Sequence, residues 1–592
     1  MQSPAILTSL IAVLAGAQAR EPLQPSSNAG VRAVGLRPTA DTARTVRAAR
    51  RAQQQFESLR RANLPFRPGP PRGPCDVRIG RFCYWHDDGA SPLEVPEPEP
   101  IARARDRLLA TLAAATRLIG GEEWVVGQRV RYLLEARRSA DAIAAAADCS
   151  SAEWWCDALA GLALHQAGEY ARADSAFARA LAQMPANQRC RWTDISLFLD
   201  GEAAKQYRRL PCPERAGFER RFWWLSQPLY SMPGNDLRTE FFARRTMSRL
   251  EQQARSAYNL SWGSDVDELL MRFGWPTWWT RDHSPSAYGT AVPSIVGHEP
   301  TPSFFFHPAE RLLLAAHPAD ALPGDWQPTM RLPTARYAPP YAASFSELLA
   351  QIAVFRRGDS AIVVASYEPP RDSLFDEGIG EAALALGVDE GTPMTVVRQR
   401  LDHGRADPLI ARTAWAPMLA SVELTAPKRR GVARARFGIR PSDPLAAAAG
   451  RLSLSDIILY RGVDTAAASL EDIIPYALGA TRIPTRGRVG VYWELYGLKP
   501  AGEPLAVTLT VERVRVGWGR RAAERLGLAA KSTPLRVRWH EVPKRDSGIA
   551  SRAIMVDLSA LPAGRYRMQL AVAAADGSTA VSERSIELFE AR

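Results

Sequence analysis

The chain has 592 residues, room for about four domains of ~150 residues each, so a single small domain is excluded. Apolar residues make up 46% and charged residues 23%, and Gly (41) and Pro (45) stay within the ordinary globular range, which excludes a largely disordered chain. Lys+Arg 75 against Asp+Glu 63 gives a formal charge of +12 and a pI near 9.6, but the surplus is spread along the chain and forms no dense basic block.

Residues 5–19 are an uncharged apolar run ending in Ala17-Gln18-Ala19, the pattern of a signal-peptide core and cleavage site. Met1-Gln2-Ser3 lacks the Lys or Arg of a usual signal start, so a buried or misassigned start is the alternative. No cysteine follows the run to carry a lipid anchor, and no later window is apolar enough for a membrane helix. The expectation is an exported chain, periplasmic or extracellular. Cys75, Cys83, Cys149, Cys156, Cys190 and Cys212 fit that oxidising compartment, and sequential pairing is the simplest of the 15 connectivities. Cys75, Cys83 and His86 as zinc ligands are the rival reading, against which stands the absence of any C-x2-C pair.

Residues 20–40 read as a flexible leader, and 41–63 as a helix carrying Arg44, Arg47, Arg50, Arg51, Arg60 and Arg61. With almost no interleaved aromatic residues, that helix reads as a solvated basic face in preference to a membrane or nucleic-acid contact. Pro65, Pro68, Pro70, Pro71 and Pro74 then mark a linker. From about 100 to 187 the pattern is helical and alanine-rich. Trp154, Trp155, Ala158, Gly161, Tyr170, Ala173, Phe177, Ala180 and Pro185 alternate small residues with large knobs, and this unit resembles a tetratricopeptide repeat. A looser unit, Trp124–Cys149, precedes it, with helices at 101–118 and after Cys212 as caps. Such a stack either offers a groove to a partner or packs as a scaffold on the next domain.

The stretch 215–280 is dense in aromatics. Arg221-Phe222-Trp223, Pro228, Asn235, Glu240, Arg244 or Arg245, then Ser261-Trp262-Gly263-Ser264-Asp265 and Leu269–Pro276 with Gly274 resemble the GWxTD-motif domain of exported bacterial proteins, a family without an established biochemical role. Ser261 and Ser264 replace the family's glycine and threonine, leaving Trp262 and Asp265 as the intact motif members. Read from the residues, a helix spans about 237–258, a tight turn follows at Trp262-Gly263, Asp265 caps the next element, and LLMRF (269–273) is a short buried strand stopped by Gly274 and Pro276. The tryptophans read as core, with stacking on sugar or peptide as the functional alternative. His283, His298, His307 and His317 follow at spacings that place no two on one helical turn, so they read as loop histidines before a metal site.

Beyond 350 the hydrophobic period becomes two. A hairpin about Arg356–Asp359 and runs at 380–388, 394–402, 409–415, 419–426 and 431–439 suit one β-sandwich. A second, immunoglobulin-like set begins with Leu452–Tyr460, continues with alternating Val489–Leu495 and Leu505–Val511, and ends in a hairpin of Tyr566–Val572 and Val581–Phe589 about Asp576-Gly577. No G-x-S-x-G elbow or P-loop occurs, Gly378-Ile379-Gly380 lacks a dinucleotide-binding context, and Asp265, Asp267 and Glu268 read as a solvated cluster before an acid–base pair.

The expected fold is multidomain α plus β: signal peptide 1–19, leader and linker 20–74, helical repeat 75–214, a small α+β module 215–345, and antiparallel sandwiches at 346–440 and 450–592. The expected function is a non-catalytic scaffold or protein-interaction role in the bacterial cell envelope, with no cofactor, metal, catalytic residue or nucleic-acid partner. The alternatives are a glycan or cell-wall-peptide binder using 222–279, and a metal-dependent envelope hydrolase using the histidine-rich loop.

Overall fold

The computed structural model describes residues 40–66, 75–86, 94–282, 294–376, 378–401, 407–441, 451–462, 469–485, 487–499, 504–514, 534–542 and 548–590. The expected signal peptide and leader, the prolines at 68–74 and His283 lie outside the described residues. Among the described residues no helix is long and apolar enough to cross a membrane.

The architecture is α plus β. Helix α1 (Ala40–Asn63) is followed by a small hairpin, β1 (Val77–Ile79) with β2 (Phe82–Tyr84), and then by α2 (Glu99–Ile119), α3 (Glu123–Glu135), α4 (Ser139–Ala147), α5 (Glu153–Gln166), α6 (Tyr170–Gln183), α7 (Ala186–Thr193), α8 (Gly201–Arg209), α9 (Ala216–Ser226), α10 (Asp236–Gln252) and α11 (Ser264–Phe273). Glu122 caps α3 by accepting from the Val125 N–H at 2.9 Å. The small residues of α5 and α6 allow close approach: a Cβ on Gly161 would stand 2.7 Å from the Phe177 ring. The three cysteine pairs are sequential. Cys75–Cys83 closes the hairpin, Cys149–Cys156 ties the end of α4 to α5, and Cys190–Cys212 ties α7 to the turn before α9, at Cα separations of 5.2, 5.5 and 5.8 Å.

Two expectations here are corrected. Helix α10 stops at Gln252, six residues short, and the chain passes Asn259 at φ +56° before the motif. LLMRF is the second half of α11: Val266, Leu269, Leu270 and Phe273 are buried at spacings of three and four, a helical stripe that the short, mostly apolar run conceals. Gly274, at φ +95°, ends that helix.

Strands β3 (Trp278–Asp282) and β4 (Ser294–His298) pair, and chain with a single helical turn at Glu310–Leu313 and two short 3-10 turns then leads to β5 (Ser344–Glu347), β6 (Leu349–Arg357), β7 (Ser360–Glu368), β8 (Glu381–Gly387), β9 (Thr395–Arg400), β10 (Leu409–Ala414), β11 (Met418–Ala426) and β12 (Gly431–Ile439). These form sheets ordered β10-β7-β6 and β5-β12-β11-β8-β9, antiparallel except for β5 with β12. Met418, Ala420, Val422 and Leu424 share a core with Ile352, Val354 and Val363 of the other sheet. Leu419 points the opposite way, into the helical core, so β11 is buried on both faces.

The remaining strands are β13 (Ser453–Leu454), β14 (Ile458–Tyr460), β15 (Arg482–Pro484), β16 (Arg488–Tyr496), β17 (Leu505–Arg513), β18 (Leu535–Glu541), β19 (Ile549–Asp557), β20 (Gly564–Ala574) and β21 (Thr579–Phe589). One sheet runs β13-β16-β14 with β19 also on β16, the other β15-β21-β20-β17-β18. Val489, Val491, Trp493 and Leu495 meet Val507, Leu509, Met568 and Leu570 in one core. The expected single strand at 452–460 is two strands, because Ser455 and Asp456 turn away to receive the Glu494 and Val354 N–H groups at 2.9 and 3.0 Å.

Candidate functional site

Each member of the motif-bearing turn is tied to a neighbouring segment. Trp262 is half-buried against the helical core, Gly263 is the N-cap of α11, Ser264 is its first residue, and Pro276 lies between α11 and β3. Asp265 does not cap α11. Its carboxylate receives the Arg81 Nε at 2.6 Å, the Arg81 Nη2 at 2.7 Å and the Arg81 backbone N–H at 3.1 Å, and it also accepts from the Val266 N–H at 2.9 Å. The Arg81 hydrogen bonds hold this carboxyl well below the usual carboxylate range. A Cβ on Gly80, at φ +52°, would lie 2.5 Å from the Asp265 Cβ, so glycine is required where the hairpin meets the helix. Tyr84 stacks on Phe273 at 3.7 Å beside this contact. Asp267 takes the Ser248 hydroxyl at 2.5 Å and Glu268 takes Arg272 at 2.9 Å, so the three carboxylates have separate partners and make no acid–base pair.

The other polar residues of the resemblance also join segments. Arg221 donates to the Leu312 and Ala315 carbonyls at 3.1 and 2.8 Å. Asn235 caps α10 and donates to the Trp223 carbonyl at 2.7 Å. Arg244 donates to Glu240 at 2.6 Å and to the Met271 and Arg336 carbonyls at 2.9 and 2.7 Å, and Arg245 donates to the Asp194 carbonyl at 3.1 Å.

Glu240 also faces His165 of α5, with Nε2 to Oε2 at 2.7 Å, while His165 Nδ1 lies 2.9 Å from the Thr239 hydroxyl. Burial opposes its charge, but Arg244 and His165 hold the Glu240 carboxyl down at about 2. One turn earlier Asp236 is fully buried, accepts from the Tyr341 hydroxyl at 2.8 Å, and is pushed by that burial up to about 6. Sequence reading missed the grouping because His165 and Glu240 sit on different helices with no linear spacing to link them. The cluster is buried, and the adjoining cavity, lined by Glu240, Arg244, His307 and Tyr337, measures about 20 Å³, room for about one water.

Among the described residues His298, His307 and His317 do not converge. His298 stacks on Trp278 at 3.7 Å and pairs with the Thr280 hydroxyl at 2.9 Å. His307 is buried among Phe198, Phe222 and Phe305, and that burial lowers it to about 3. His317 precedes the short turn Pro318–Asp320. Among the described residues no group of three His, Cys, Asp or Glu side chains is placed to hold a metal ion.

Two open clefts flank α1. The first, about 220 Å³, lies between the end of α1, the start of α2, the end of α3 and β3, and includes Trp278 and Trp279. Its guanidinium groups are already matched: Arg60 with Glu135, Arg105 with Glu97 at 2.7 Å, and Arg137 with Glu94. Behind it the fully buried Glu57 accepts from the Tyr132 hydroxyl at 2.7 Å, and Arg131 reaches Glu135 at 3.2 Å and Glu251 at 3.4 Å. Burial works against the Arg60 charge, yet Glu135 and Glu57 hold it above its usual range. The second cleft, about 190 Å³, lies between α1 and the end of α10 and is lined by Arg50, Gln53, Gln54, Trp124, Gln252, Gln253, Ala254 and Arg255.

No protein-family model matches the chain, and no curated protein does. Among solved structures it is similar to the PmoD soluble domain from Methylocystis sp. ATCC 49242 (Rockwell), at 13% identity over 22% of this chain and 89% of that one, TM-score 0.13. It is also similar to red sea bream transglutaminase (11% identity, 42% and 32% covered, TM-score 0.12) and to a 1.5-MDa bacterial ice-binding adhesin (9%, 42% and 67%, TM-score 0.13). Similarity at this level assigns no function.

Proposed function

We propose that the chain is an exported, non-catalytic interaction protein of the bacterial cell envelope, in which a tetratricopeptide-like helical stack, a GWxTD-like module and two immunoglobulin-like sandwiches present surfaces to protein partners. The observation that carries this reading is the fate of the aromatic residues: none of the described tryptophans is exposed, and Trp155, Trp223, Trp279, Trp326 and Trp493 are among those fully within the core. A sugar-stacking platform needs open ring faces. The motif-bearing polar groups support the same reading, since Asp265, Asn235 and Arg244 are each occupied by another segment of the chain. The three disulfides suit export.

Affinity capture from the cell envelope under non-reducing conditions tests the proposal. The expected result is one protein partner recovered reproducibly, with tryptophan fluorescence unchanged by a panel of neutral oligosaccharides. Capture that returns no consistent protein, or strong quenching by a neutral glycan, overturns it in favour of the glycan-binding alternative.

A further inference from the structure

We infer that the cleft between α1 and the end of α10 binds an acidic polysaccharide, with guanidinium groups taking its carboxylates and glutamine amides taking its hydroxyls. This goes beyond the protein-interaction reading and does not depend on it. The cleft differs from its neighbour in charge. Every arginine lining the Trp278–Trp279 cleft has a glutamate partner, whereas Arg50 and Arg255 make no ion pair among the described residues, and no carboxylate lines their cleft. Arg47, Arg50, Arg51 and Gln54 of α1 are all exposed and fall within about 100° of helix arc, so a positive track leads along the helix into the cleft. Arg47 and Arg51 likewise have no ion-pair partner among the described residues.

The partially negative end of α10 is screened from an anion in the cleft, because carbonyls at that end and just beyond it are covered by donors. Gln128 Nε2 donates to Leu250 at 2.9 Å, Trp124 Nε1 and Arg50 donate to Gln253 at 3.0 and 3.3 Å, and Gln53 donates to Arg255 at 2.8 Å. Arg50 lies over the Trp124 ring at 4.5 Å, which holds its guanidinium at the cleft.

The lining also selects the class of polyanion. Three glutamines, Gln54, Gln252 and Gln253, offer paired donors and acceptors suited to hydroxyl groups, while Gln53 is buried with its amide held by Tyr132 and Arg255. The only apolar lining is Ala254 and the nearly buried Trp124, so an acidic peptide finds no anchoring pocket and a nucleic acid finds no open ring on which to stack.

The test uses the full chain in affinity electrophoresis and calorimetry with polygalacturonate, against dextran, poly-glutamate and single-stranded DNA. The expected result is binding to polygalacturonate that weakens with salt, no binding to dextran, and at least several-fold weaker binding to the other two polyanions. Arg255→Gln, which removes an exposed side chain with no ion-pair partner, is expected to weaken binding about tenfold with an unchanged melting temperature, and Arg47→Gln with Arg51→Gln to weaken it further. Arg255→Lys should recover part of the loss. Absence of polygalacturonate binding, equal binding of all three polyanions, or binding unmoved by Arg255→Gln overturns the inference.

Discussion

Asp265 holds Arg81 by both the guanidinium, at 2.6 and 2.7 Å, and the backbone N–H, at 3.1 Å, so one motif carboxylate fixes the orientation of a hairpin 184 residues away in sequence. The pair is partly solvated, so its main effect is local geometry and not global stability. Asp265→Asn should therefore leave the global unfolding transition nearly unchanged while hydrogen exchange accelerates in 77–84. Because the carboxyl is held below its usual range, the contact is present above about pH 4 and is lost as the pH falls through the depressed value. Exchange measured on the hairpin at pH 6 and in acid checks both statements.

Glu423 of β11 performs the equivalent task at the junction of helices and sheet. It is 1% exposed and accepts the Tyr230 and Ser231 N–H groups, both at 2.9 Å, and the Ser421 hydroxyl at 2.7 Å, with Arg436 at 3.6 Å. Arg436 in turn donates to the Leu225 and Gln227 carbonyls at 3.2 and 3.0 Å and lies over the Tyr230 ring at 3.9 Å. Glu423→Ala strips the buried Arg434 and Arg436 of their nearest carboxylate and should cost about 3–5 kcal/mol in denaturant unfolding. Glu423→Ala combined with Arg436→Met should recover part of that loss, because the second change removes a charge left without its partner.

These same residues show where the sequence is legible and where it is not. Val489–Leu495 and Val507–Val511 alternate because each strand has one core face, and their positions in the structure follow from that period. In β12 the polar members Arg434 and Arg436 also alternate with apolar neighbours, a pattern that ordinarily marks a solvent face, yet both are buried because the 225–231 segment lies across them. Only the third dimension reveals that cover. The α11 run failed for a different reason, since four apolar residues within five positions satisfy a strand as well as a helix, and the deciding residue, Val266, lies outside the run. His165 and Glu240 meet through the packing of α5 on α10, and no local spacing encodes it.

Asp236 gives stability a defined pH dependence. Burial raises its carboxyl to about 6, so the folded chain keeps this proton while the unfolded chain releases it near pH 4. The folded state then binds more protons between about pH 4 and 6, and the contribution of this group falls as the pH rises through that window and levels off above it. A shift of this size corresponds to about 3 kcal/mol. Asp236→Asn removes the titration while leaving an oxygen to accept from Tyr341, so the variant should gain about that much relative to the parent between pH 4 and pH 7. Urea unfolding of both proteins at the two pH values reads the difference, and a constant gap would show that Asp236 titrates normally.

The disulfides should rank by the chain they enclose. Cys190 and Cys212 are separated by 22 residues and Cys149 and Cys156 by 7, so closing the first loop removes more freedom from the unfolded chain. Loop-entropy scaling gives about 3 kcal/mol for the longer loop and about 2 kcal/mol for the shorter. The longer loop also contains Trp192 and Tyr207, both buried in the helical core, so its release loosens packed residues as well as the backbone. Cys75–Cys83 closes a hairpin that rests on Asp265 and Phe273, and its loss should act on that hairpin alone. Replacing each pair by serine in separate variants and measuring calorimetric melting should give the largest drop for Cys190 and Cys212, a smaller one for Cys149 and Cys156, and faster exchange at 77–84 with little change in melting for Cys75 and Cys83. The reverse order would place the stabilisation in folded-state contacts of the shorter loops instead of in the unfolded chain.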